Sequence, residues 1–223
     1  MDAGGQARQQ HGMDFEAWLK TTFFQSFNQT GPTDKWDALD VSYKSQYAQF
    51  TGAFSGLPIS MKTCKYNTPI GFGDAIRQFE NTQDFLLIVG FWSRAGNVKN
   101  IVSARAVKIT AADWHSLFVG AVTKDELDKD KLQSEEDVKT KIYQLDKTIK
   151  TTPSYVDARK QAQVEKKALP SMEIVLNPKI DSKNQRRLQC SLPFNIFWTK
   201  FAKEGAAVEQ NPTLWGEAVP AMK

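Results

Sequence analysis

Apolar side chains recur at helical spacing over residues 14–27. Phe15, Trp18, Leu19, Phe23 and Phe27 fall at i, i+3, i+4, i+8 and i+12, the stripe of an amphipathic helix, and Asp14 stands where a cap accepts the first free amides. Gly31-Pro32 breaks that pattern. The segment KWDALDVSY (35–43) then alternates, with Asp37, Leu39 and Val41 on one side, which predicts a strand; a second strand or a bend is expected over 47–54, closed by Ser55-Gly56. LPISMKTC (57–64) reads as the next strand, with Leu57, Ile59 and Met61 on one face and Ser60 and Lys62 on the other.

Residues 71–80 read as a short helix capped near Asp74, with Ile76 and Phe79 inward. DFLLIVGFW (84–92) is apolar on both faces, as a strand in the middle of a sheet is. A strand over 100–109 leads into the capping box Thr110-x-x-Asp113 and a helix through Phe118. Beyond Val122, a helix over 134–150 carries Val138, Ile142, Leu145 and Ile149, and a charged helix over 153–169 is bounded by Pro170. Strands at 171–176 and 186–192, joined by the polar, basic loop NPKIDSKNQ, predict a β-hairpin outside the core, and a short aromatic helix follows near 196–201. The fold class expected is α/β (α+β): a central mixed sheet flanked by helices, with C-terminal helical and hairpin additions. A flexible lead is expected over 1–12, a core over 13–122, and an added region over 123–223 packed on the core as one domain.

Composition narrows the chemistry. At 223 residues, 41% hydrophobic and 24% charged, with 14 Phe, 6 Trp and 5 Tyr, the chain has the material for a substantial core. Its longest apolar run, Phe85 to Trp92, falls far short of the roughly 20 residues of a membrane span, and MDAGGQARQQHG carries no apolar secretory segment, so an intracellular protein is expected. Two distant cysteines, Cys64 and Cys190, and two histidines, His11 and His115, cannot assemble a four-ligand zinc site and argue against Ser/His/Asp or Cys/His catalysis. Neither GxxxxGK[ST] nor GxGxxG occurs. Carboxylates and lysines remain. The net charge of +4 permits a nucleic-acid partner without requiring one; positive charge gathers at Lys179, Lys183, Arg186 and Arg187, while 125–137 is acidic and mixed, as on a solvated helix face.

An acid on one strand (Asp37), a lysine on a later strand (Lys62) and an acid on the preceding helix (Glu16) fall within an order of helix, three strands, helix and strand. Carboxylates near one another hold Mg²⁺ through oxygen, and a neighbouring ammonium orients a water and stabilises charge on a phosphate. In GMDFEAWL with Glu16, DKWDAL with Asp37, LPISMKTCKYNTPIGFGDAIRQF with Lys62, and DFLLIVGFW, the chain resembles the PD-(D/E)XK nuclease superfamily, and within it type II restriction endonucleases, over about residues 12 to 118. The resemblance implies a restriction-endonuclease-like core and Mg²⁺-dependent, sequence-specific cleavage of double-stranded DNA in a prokaryotic-type cytoplasm, with Asp37 and Glu16 on the metal and Lys62 polarising the attacking water. A homodimer follows from the two-fold symmetry of such a DNA site.

The chain departs from the pattern at Ser60, where the family has Asp or Glu two residues before the lysine. Some members resemble this arrangement and take the second metal carboxylate from a helix, which nominates Glu16, Asp74 or Glu80; Asp34 and Asp40 are the alternatives to Asp37, and Gln78 could orient a water or a phosphate. A repair or mobile-element nuclease of the same superfamily is the neighbouring reading, and a non-catalytic DNA-binding protein the contrasting one. In 186–192 the alternation sets Arg187, Gln189 and Ser191 against Leu188, Cys190 and Leu192, leaving a polar side for DNA. The DNA contacts expected are Lys183, Gln185, Arg186, Arg187 and Gln189, with Lys179 and Lys183 suited to phosphates.

Overall fold

The computed structural model describes residues 14–31, 34–96, 98–119, 135–167, 169, 172–180 and 185–221. The chain divides into two compact units that interleave in sequence: the first is drawn from Met1–Ile70, Gln83–Thr110 and Phe194–Lys223, the second from Gly71–Thr82 and Ala111–Pro193. This partition crosses the expected boundary at 122/123 rather than following it.

In the first unit, helix α1 (residues 14–23) ends earlier than its apolar stripe. Phe24 instead begins strand β1 (Phe24–Gln29), which pairs antiparallel with β2 (Ala38–Tyr43), so the helix expected through Phe27 is corrected. Phe24 meets Phe27 and Tyr43 edge-on at 5.8 and 5.6 Å, a packing that suits aromatic residues on a pleated surface. Within β2, Asp40 adopts a left-handed φ of 50°. The alternation slips there, so Ala38 and Val41 are the buried pair and the expected Asp37/Leu39/Val41 face does not form. Residues 45–54 are not a strand but a chain of short helical turns: Ser45–Tyr47, α2 (Ala48–Thr51) and Gly52–Phe54. Their buried residues, Tyr47 and Thr51, are one turn apart, and Thr51 Oγ1 donates to the Tyr47 carbonyl at 3.0 Å.

Strands β3 (Ile59–Lys65), β5 (Phe85–Ala95) and β6 (Val98–Ile109) complete a mixed five-stranded sheet of order β1-β2-β3-β5-β6; β4 (Ile70–Asp74) joins the second unit's sheet. β3 and β5 run parallel and the other neighbours antiparallel. β5 is bonded on both sides along most of its length, which is why DFLLIVGFW carries no polar face. One face of the sheet packs Ile59, Met61, Leu86 and Ile88 against Phe15, Leu19 and Phe23 of α1. Gly90 permits this approach: a Cβ there would lie 3.0 Å from the Phe15 ring and 3.1 Å from Ile101 Cδ1. On the other face Phe91 meets Phe194, Phe197 and Trp198 at 5.3–5.6 Å. Along the free edge of β6, Val102 is the extra residue of a bulge and accepts a 2.7 Å bond from Glu209 N, while Arg105 pairs with Glu204 and Glu209 at 3.1 and 2.7 Å.

The second unit has a three-stranded sheet of order β4-β8-β7, with β7 (Val175–Ile180) and β8 (Arg186–Leu192) antiparallel. Its helices are α3 (Ala75–Phe79), α4 (Ala111–Val119), α5 (Glu135–Thr151) and α6 (Tyr155–Lys167). Two expectations are corrected. The segment 71–80 opens as strand β4, with helix only from Ala75, and the hairpin's first strand is 175–180 rather than 171–176. Pro178 is compatible with β7 because that strand lies at the sheet edge, where a missing N–H breaks no ladder on its outer side. Val138, Ile142, Leu145 and Ile149 of α5 are all buried, as their spacing predicts. Trp114 of α4 packs on Phe72 at 4.6 Å and donates Nε1–H to the Gln78 carbonyl at 3.0 Å. Among the described residues no helix is long and apolar enough to cross a membrane.

Candidate functional site

β3 follows β5 throughout its length but pairs with β2 only at Ala38–Ile59. Each of these is the first residue of its strand, so β3 runs on past the start of β2, and there a side chain takes the place of a backbone acceptor. Asp37, the residue before β2, donates its own N–H to the Ile59 carbonyl at 2.8 Å and turns its carboxylate onto β3. There Asp37 Oδ2 accepts from Met61 N at 2.6 Å, from Lys62 Nζ at 2.7 Å and, more weakly, from Ser60 Oγ at 3.4 Å. Ser60 is 2% exposed, whereas the Lys62 and Asp37 side chains are 22% and 30% exposed. The pair is held from the protein side and open to solvent on the other.

The loop before Asp37 has its own fastenings. Asp34 Oδ2 accepts from Gly31 N at 2.6 Å, Thr30 Oγ1 donates to the Trp36 carbonyl, and the Trp36 ring packs on Phe85 at 4.9 Å. Asp40 is exposed and accepts from Asn28 Nδ2 at 2.7 Å. Of the three neighbouring acids, Asp37 alone meets Lys62. All three donors converge on its Oδ2, and among the described residues none donates to Oδ1. That oxygen is a hard donor of the kind Mg²⁺ takes, usually from one or two carboxylates with water and phosphate oxygens completing the shell.

The other expected ligands are elsewhere. Glu16 lies on α1 and is ion-paired with Lys20 one turn along the same helix; no hydrogen bond joins it to Asp37 or Lys62. Asp74 and Glu80 belong to the second unit: Asp74 caps α3 by accepting from Arg77 N at 2.9 Å, and Glu80 accepts the Tyr143 hydroxyl. Gln78 is buried, with Nε2 on the Phe72 carbonyl at 3.4 Å. Among the described residues no group of three or more His, Cys, Asp or Glu gathers as a metal site.

Of the expected DNA contacts, Lys183 lies outside the described residues. Gln185 is exposed just before β8. Arg186 is on the inward face, its guanidinium donating to the carbonyls of Thr152 and, at 2.8 Å, Pro153 in the α5–α6 connection. Arg187 is exposed and stands opposite Lys179, and Gln189 stands opposite Asn177. Leu188, Cys190 and Leu192 are buried on the other face. Sequence reasoning missed the Met61 amide, which no side-chain letter reveals, and Asn177, which it assigned to a loop. Comparison with family models, with curated proteins and with solved structures returned no match.

Proposed function

We propose that this chain is a Mg²⁺-dependent endonuclease of double-stranded DNA, of the PD-(D/E)XK type, acting in the cytoplasm as a homodimeric type II restriction enzyme. The observation that carries the reading is the Asp37–Lys62 pair, 2.7 Å apart, with Asp37 just before β2 and Lys62 on β3, beyond the single residue pair at which the two strands meet. The order α1, β1, β2, α2, β3, β4, α3 and β5, with β3 and β5 parallel, supports a restriction-endonuclease-like core in which α2 and β4 are additions.

Hydrolysis forms one P–O bond to water and breaks another, the water's proton passing to solvent or to the leaving oxygen. Asp37, through Oδ1, would hold Mg²⁺ with Glu16 as the proposed second carboxylate, and such an ion would supply positive charge against the phosphate and lower the pKa of a water. Lys62 has three N–H donors. One is spent on Asp37, leaving others to orient the attacking water and to meet charge building on the phosphate oxygens. The Met61 amide and the Ser60 hydroxyl keep the carboxylate in one orientation, so that less reorganisation accompanies reaction.

Ser60 favours a second reading. With a hydroxyl in place of an acid, β3 offers one carboxylate fewer, and the same architecture would serve a DNA-binding protein that does not cut. Incubating plasmid DNA with the purified protein in Mg²⁺ or in EDTA separates the readings. Discrete fragments formed only with Mg²⁺ are the expected result; a metal-dependent smear indicates a general nuclease of repair or mobile-element type, and gel retardation without cleavage in either condition identifies the binder.

A further inference from the structure

Resting on the reading of this chain as a protein that acts on DNA, we propose that the outward face of the β7–β8 ladder is its sequence reader: Asn177, Gln189 and Arg187 meet base edges and Lys179 meets phosphate. The register puts Lys179 directly opposite Arg187 and Asn177 directly opposite Gln189, so the four side chains form two adjoining rows on one face. Lys179 and Arg187 are both exposed, and among the described residues neither has an acidic partner. Like charges facing one another across an antiparallel pair destabilise it, and an anion seated on this row removes that cost.

The adjoining row has the right chemistry for bases. Asn and Gln amides pair with adenine N6 and N7, and an Arg fork pairs with guanine O6 and N7, whereas Lys acts on phosphate as a point charge. Asn177 is held in orientation, its Nδ2 donating to Ser191 Oγ at 2.8 Å and, more weakly, to the Val175 carbonyl at 3.4 Å, which leaves Oδ1 as its acceptor for an adenine N6. The opposite face of the same strands buries Leu176, Ile180, Leu188, Cys190 and Leu192, so the reading row stands on a rigid mount. Arg186 takes no part in reading: its donors hold the hairpin to the α5–α6 connection.

The test is equilibrium binding in EDTA, where no cleavage intervenes. Wild-type protein is first used to select a sequence from a pool of short randomised duplexes, and the selected and scrambled duplexes are then titrated at several salt concentrations. The Asn177→Ala/Gln189→Ala double variant should lose roughly ten-fold or more of the preference for the selected duplex while binding the scrambled one as wild type does. Arg187→Lys, which keeps the charge but not the fork, should lose preference with its salt dependence intact. Lys179→Ala should weaken both duplexes alike and reduce the slope of log K against log salt by about 0.9.

Matched thermal unfolding of all variants guards against misfolding. The inference is overturned if the wild type enriches no sequence, or if the variants bind both duplexes as the wild type does; in the latter case Lys179 only guards the β7 edge of the sheet against further strands. Cleavage that depends on Lys62 alongside an inert ladder removes this inference and leaves the nuclease reading standing. Ladder-dependent preference without cleavage does the reverse.

Discussion

Lys62 Nζ lies 2.7 Å from Asp37 Oδ2 across 25 residues of sequence, at the place where β2 and β3 stop pairing. Had the ladder continued, the Met61 amide would face a backbone carbonyl and the lysine would stand alone on a sheet face. Because it stops, one carboxylate serves as both strand terminator and counter-ion.

Lys62→Ala and Asp37→Asn therefore test the same centre from its two sides. Each should lower Mg²⁺-dependent plasmid cleavage by about 10² or more. The folded state should lose only about 1 kcal/mol, because the pair is part-exposed and a half-solvated ion pair contributes little to stability. Cleavage rates beside urea midpoints check this. Unchanged turnover in Lys62→Ala would refute the mechanism, and full activity in Asp37→Asn would move the assignment to another acid.

Gly90 should not tolerate a methyl group. Its Cβ would press on the Phe15 ring at 3.0 Å and Ile101 Cδ1 at 3.1 Å, and overpacking of a filled core costs about 1–3 kcal/mol. Gly90→Ala should lower the thermal midpoint, and Phe15→Leu in the same chain should recover part of the loss. Additive losses in the double variant would show that the ring is not the obstruction.

Cys64 gives the folded state a pH limit. Burial pushes its thiol up to about 12 from an ordinary 9.0. The folded state thus favours the protonated thiol, and the unfolded chain ionises first as pH rises. Its contribution to stability is full below about pH 9 and is lost as pH climbs toward 12. Cys64→Ser should flatten the alkaline fall in the urea midpoint, and native protein at pH 8 should react slowly with a thiol reagent.

Arg186→Ala should destabilise through two carbonyls left without their donor, those of Thr152 and Pro153. Hydrogen bonds to a charged group are worth about 1.5–3 kcal/mol, so a loss near 2 kcal/mol is expected in urea unfolding. A loss below about 0.5 kcal/mol, the usual range of a plain surface change, would contradict the structural role.

Periodicity made the buried parts of this fold legible. DFLLIVGFW could be nothing but an interior strand, and the α5 stripe from Val138 to Ile149 survives intact. It failed where one set of apolar residues serves two geometries. Phe23 and Phe27 continue a helical stripe as readily as they flank and join a strand, and only pairing with β2 decides. Gly71 and Gly73 hid β4, and Pro178 hid β7, because a glycine-rich or proline-bearing strand needs a neighbour to define it. Asp37 and Lys62 were readable as residue types in a familiar order, but their meeting rests on the β2–β3 ladder being a single pair, Ala38–Ile59, which no local pattern encodes. Glu16 and Lys20 stand four residues apart on α1, the spacing at which a helix brings the two side chains together, so this pairing was open to sequence reading and was passed over.

The bond from Glu209 N to Val102 O has a consequence for the nascent chain. Every strand of the five-stranded sheet has been synthesised once the ribosome passes Ile109, yet the segment that covers the edge of β6 is made about a hundred residues later, or about 5–20 s at ordinary elongation rates. Throughout that interval β6 presents open backbone donors and acceptors to any other extended chain. Slowing translation after residue 110, or releasing the chain early by a stop codon before residue 194, should divert product into aggregates even though the sheet itself is complete.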